Sequence, residues 1–91
     1  MVTLEEMKQY LRVDFPDDDS LISVLISSAE ELCASVVRVS VEEYLSLQED
    51  NARTAVLYAV AYLYEHREDA DHHKLTIDLR SLLFGIRKAG F

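Results

Sequence analysis

The apolar positions of the chain recur at helical spacing along most of its length. Thr3-Leu4-Glu5-Glu6 opens the first such stretch. A threonine hydroxyl can take a free backbone N–H, and a glutamate three residues on can reach back to the threonine. The pattern predicts a short helix from about Leu4 to Leu11, with Leu4, Met7, Tyr10 and Leu11 on one side. Val13 to Asp19 reads VDFPDDD. Pro16 biases Phe15 away from helix, and the aspartates suit the exposed N–H groups of a new helix start. A second helix is predicted from about Asp17 to Val37. Leu21, Ile22, Leu25, Ile26, Ala29, Leu32, Cys33, Val36 and Val37 cover slightly under half of its circumference, opposite Ser20, Ser23, Ser27, Glu30 and Arg38.

Ser40-Val41-Glu42-Glu43 has the same capping pattern as the N-terminus. It favours a short helix through Tyr44, Leu45 and Leu47 over the irregular connection that the strand-like VVRVSV would also allow. The next helix should span roughly 49–67 and differs in polarity. Ala52, Val56, Ala59 and Leu63 form one stripe, flanked by Val60. Leu57, Ala61 and Tyr64 sit on a second side, and Tyr58 and Tyr62 on a third. No side chain between Ala55 and Tyr64 is charged. A helix apolar nearly all round is buried nearly all round, by its own chain or by a neighbouring subunit. Residues 68–75 read as a polar loop holding His72 and His73. A last helix should start near Thr76 and carry Leu79, Leu82, Leu83 and Ile86, with Gly90 as its stop.

The pattern amounts to an all-α fold, a single domain over residues 1–91. It is a small bundle of four to five helices around a long central one. The composition agrees: two glycines and one proline are too few for the turns of a sandwich or barrel. Cys33 is the only cysteine, which excludes an intrachain disulfide, and it lies on an apolar stripe as a buried, inert thiol would. No stretch approaches the roughly 20 consecutive apolar residues of a membrane span. MVTLEEMKQY has no signal-peptide pattern, so a cytoplasmic protein is expected.

Charge is uneven. Residues 1–71 hold 5 basic and 16 acidic side chains, a balance of −11. Residues 72–91 hold Lys74, Arg80, Arg87 and Lys88 against Asp78 alone, a balance of +3. An acidic body argues against general DNA binding, which needs clustered Lys and Arg. A basic tail on an acidic body can instead dock on a neighbouring copy.

Candidate chemistry is thin. His66, His72 and His73 with Asp69 or Asp71 could ligate zinc, but no fixed spacing joins them, and they read as solvated histidines. Asp14, Asp17, Asp18 and Asp19 fail the calcium-loop pattern, because the glycine and glutamate positions fall on Asp19 and Leu25. They read as helix-start acids. No nucleophile elbow or glycine-rich phosphate loop is present. Tyr58, Tyr62 and Tyr64 could stack on bases, yet lack a basic groove around them. The expectation is no catalytic residue, no metal and no cofactor.

The order of segments carries a resemblance. TLEEMKQYLRVD leads into DDDSLISVLISSAEEL, then a helix ending AVAYLYEHRE, then LRSLLFGIR. In this, and in length, the chain resembles the small head–tail connector proteins of long-tailed phages and prophages, often labelled DNA-packaging proteins. The motif-like residues are Tyr64, Glu65 and Arg67, then Leu82, Leu83 and Arg87. Two departures stand out. Family members often carry a proline before the Leu-Leu pair, where this chain has KLTIDLRSLL, and the first aromatic of the helix ending is Leu63 here. The resemblance implies a structural protein that is not an enzyme. It would assemble with itself into a ring between the portal protein and tail-side completion proteins, and DNA would pass through the lumen without specific binding. It implies assembly in the bacterial host cytoplasm and residence at the virion head–tail junction, with no membrane partner. Leu57, Ala61, Tyr64, Arg80 and Arg87 are then the expected subunit contacts. The rival reading is a small helical phage-encoded regulator or DNA-binding module using Lys74, Arg80, Arg87 and Lys88. A third is a metal-dependent hydrolase built on the three histidines.

Overall fold

The computed structural model of the chain describes residues 1–84. Five helices follow in order: α1 Leu4–Leu11, α2 Asp19–Val37, α3 Val41–Leu45, α4 Asp50–Glu65 and α5 His72–Leu83. No strand is present among the described residues. The expected stop of the last helix and the contact at Arg87 lie outside them.

The two capping patterns place the helix starts. Thr3 Oγ1 accepts from the Glu6 N–H and Glu6 Oε1 from the Thr3 N–H, both at 3.1 Å. Ser40 Oγ accepts from the Glu43 N–H at 3.0 Å, and the short helix α3 forms rather than an irregular connection. The polar loop expected over 68–75 is shorter than that. Asp71 caps α5 by accepting from the Lys74 N–H at 3.0 Å, so the helix begins at His72, not near Thr76. α4 ends at Glu65, which leaves Arg67 in the turn beyond it.

α1 and α2 both end on an arginine in the left-handed region, Arg12 at φ 61° and Arg38 at φ 60°. Glycine usually takes that position because a Cβ there costs about 1–2 kcal/mol. The chain keeps its two glycines elsewhere, at 85 and 90. Each arginine is at least placed where a positive charge meets the negative end of a helix dipole.

α4 is the helix the others wrap. It packs on α2, α5 and α1, and its Ala52, Ala55, Val56, Ala59 and Val60 are fully buried. The three alanines let neighbouring helices approach closely. Its all-round apolar character is thus answered largely within the chain. From α2 the core takes Ile22, Ile26, Ala29, Cys33, Ala34 and Val37; from α5 it takes Leu75, Leu79 and Leu83. Tyr44 of α3 is fully buried, and its hydroxyl donates to the Ala52 carbonyl at 2.7 Å, which fixes the α3–α4 corner. Cys33 is also fully buried, and burial pushes its thiol up to about 11, so it stays protonated.

By length and composition α2 is apolar enough to cross a membrane, with a mean hydropathy of 1.6 over its best window. Its positions outside the buried core include serines, which lower hydropathy far less than charges do, and further apolar residues such as exposed Val24. Its apolar stripe nevertheless faces the core, as in a soluble core helix.

Two stability changes should follow, measurable by urea denaturation. Arg38→Gly should raise stability by about 0.5–1 kcal/mol through relief of the left-handed Cβ contact. Tyr44→Phe should lower it by about 1 kcal/mol through loss of the bond to Ala52.

Candidate functional site

The segment Leu63-Tyr64-Glu65-His66-Arg67 closes α4 and meets the start of α2. The Tyr64 hydroxyl donates to Asp18 Oδ2 at 2.5 Å, although 46 residues separate them. The Arg67 guanidinium lies 4.7 Å from the Tyr64 ring centroid, and its Nη1 is 3.7 Å from the same Asp18 oxygen. Asp18 occupies the cap position of α2, yet its side chain makes no capping bond. It is turned toward the end of α4 instead. Asp19 joins the clasp from the other side, paired with Lys8 of α1 at 2.7 Å. Arg53 pairs with Glu6, tying α4 to α1 directly. The acids at the start of α2 therefore hold helices together. Asp14 and Asp17 remain exposed.

A second feature is an open groove of ≈ 580 Å³ where α1, α4 and α5 meet. Tyr10, Tyr58 and Tyr62 give it aromatic walls, with Ala61 between them and Glu65 at the rim. Tyr58 donates to Asp78 Oδ2 at 2.6 Å, and Lys74 Nζ meets the same oxygen at 3.0 Å. The Tyr62 ring stacks on His66 at 4.2 Å, and its hydroxyl accepts from the Asp71 N–H at 2.9 Å. These bonds set the protonation of the groove. The Tyr58 bond first, and Lys74 second, hold the Asp78 carboxyl below its usual range. Asp78 in turn raises the Tyr58 phenol and the Lys74 ammonium. The Asp18 bond likewise raises the Tyr64 phenol.

The expected contact residues scatter across these features. Leu57 lies in the chain's own core with 9% of its surface exposed. Ala61 is half-buried in the groove, and half-buried Tyr64 belongs to the clasp. Arg80 is exposed on α5 and has no ion-pair partner among the described residues. Of the motif-like residues, Glu65 is exposed, Leu82 half-buried and Leu83 fully buried. His72 and His73, expected in a loop, stand in the first turn of α5. His66 turns its Nδ1 to the Tyr62 carbonyl at 2.9 Å. No group of three His, Cys, Asp or Glu side chains that could hold a metal occurs among the described residues.

The two carboxylate hubs were absent from the sequence reading. Lys74 and Asp78, four apart on one helix, signal one of them. Nothing local signals that Asp18 would meet Tyr64.

Residues 1–88 match the family model described as phage gp6-like head-tail connector protein. No curated protein and no solved structure matches the chain.

The phenols bonded to carboxylates, Tyr58 and Tyr64, make the fold sensitive to alkali. A tyrosine whose folded value is raised contributes stability that is present below about pH 10 and is lost as pH rises through the folded value. Absorbance titration should find Tyr58 and Tyr64 ionising later than free tyrosine. Asp18→Asn should bring the Tyr64 titration back toward the ordinary range and leave Tyr58 unchanged. An unmoved profile in that variant would contradict the clasp.

Proposed function

We propose, because the chain belongs to the phage gp6-like head-tail connector family, that it serves as a non-enzymatic adaptor which assembles with itself into a ring between portal and tail-side proteins. The family match over residues 1–88 carries this reading. Physical features support it. The helix ends are fastened to one another by side chains at the clasp and at Glu6–Arg53, which suits a part that holds two assemblies in register. A formal charge of −8 suits a lumen wall that lets DNA slide past without gripping phosphate. Ala61 and Arg80 stay among the proposed subunit contacts. Leu57 would act through the packing of α4, and Tyr64 by fixing where that helix ends. The DNA-binding alternative is weakened at Lys74, whose charge is matched by Asp78.

Deleting the gene from the phage or prophage that carries it should leave heads and tails unjoined in electron micrographs. Expression of the protein in trans should restore joined, infectious particles. Normal particles from the deletion would overturn the adaptor reading.

A further inference from the structure

α5 buries Leu75, Leu79 and Leu83 and leaves a second stripe uncovered. His73, Ile77, Arg80 and Phe84 recur at the spacing of one helix face. Ile77 is 47% exposed and Phe84 76% exposed. Phe84 keeps helical dihedrals, φ −54° and ψ −42°, so it continues the stripe. Two large apolar side chains around an arginine with no ion-pair partner among the described residues have the composition of an interface anchor.

The tyrosine groove is the complementary surface. Tyr10 is 52% exposed, and Glu65 at the rim has no ion-pair partner among the described residues. Lys74 also lines the groove, but Asp78 already matches its charge. The Tyr62 ring is already taken by stacked His66 and by Lys74 over it, so the net offer is the Tyr10 and Tyr58 rings beside the Glu65 carboxylate. Such a surface fits an apolar side chain accompanied by a guanidinium, which can stack on tyrosine and pair with the acid.

One copy cannot make this match alone. Lys74 and Asp78 mark the side of α5 that faces the groove. At 3.6 residues per turn the stripe lies about 110° around the helix from them. We propose that Ile77, Arg80 and Phe84 seat in the tyrosine groove of a second copy, with Arg80 pairing to Glu65 of the partner subunit. Two unlike patches meet, so the contact is head-to-tail and each added copy presents a fresh groove. The proposal rests on the self-assembling adaptor reading and names the surfaces that perform it.

The test is cross-linking of the purified full chain at high concentration. Glu68→Cys combined with Ser81→Cys, exposed positions beside Glu65 and Arg80 that leave the proposed pair intact, should give a ladder of dimers, trimers and higher species with a short bismaleimide. Glu42→Cys combined with Ser81→Cys should give none, because Glu42 lies on α3 and does not line the groove. Buried Cys33 should stay unreacted in both. Adding Phe84→Glu to the first pair should reduce the ladder at least tenfold while far-ultraviolet circular dichroism stays unchanged. No ladder, or equal ladders from both pairs, overturns the contact. If the ladder is missing and the phage still needs the protein to join heads to tails, the contact fails and the adaptor reading stands. A ladder from a protein dispensable for joining keeps the contact and removes the adaptor reading.

Discussion

α4 carries no charge between Ala55 and Tyr64, and the other helices are arranged to keep most of that stretch out of water. Each Å² of apolar surface returned to solvent would cost about 25 cal/mol. α2 and α5 cover its length, α1 crosses it, and Tyr44 of α3 pins its first turn through the Ala52 carbonyl. The alanines of α4 set how closely these neighbours approach. With the helix wrapped in this way, its two ends are the places where polar chemistry can collect, and both clasp and groove sit toward its C-terminal end.

Helical periodicity was enough to locate the core because each core stripe repeats at short range. Ile22, Ile26, Ala29, Cys33 and Val37 of α2 can be read from spacing alone, and all five are buried. Capping residues were as legible where serine or threonine stood first. Asp71 is less legible as a cap, because two histidines and a lysine follow it in place of the apolar residues or glutamate that mark a helix start. By its angle Leu57 falls on a second side of α4, and it is 9% exposed because neighbouring helices cover more of α4 than one stripe. The clasp was illegible for a different reason. Asp18 carries the local signature of a helix cap, and only the folded chain shows its carboxylate turned to Tyr64.

The membership of a head–tail connector family gives these features a setting. Here a small acidic protein holds its helix ends together with side-chain hubs rather than with a large core. Asp18 serves Tyr64 and Arg67, and Asp78 serves Tyr58 and Lys74. Both tyrosines come from α4, so the two hubs brace the same helix against α2 and against α5.

The diverted carboxylate of Asp18 also bears on the order in which the chain can fold. A helix whose cap is local can start as soon as its first turn forms. The first turn of α2 lacks that side-chain help: Asp19 is held by Lys8 of α1, and Asp18 gains its partner only when Tyr64 arrives from 46 residues away. Closing so long a loop carries an entropy penalty that local contacts do not. The bond between Asp18 and Tyr64 can therefore form only once α2 and α4 have come together, whereas the backbone bonds within α2 do not wait for it.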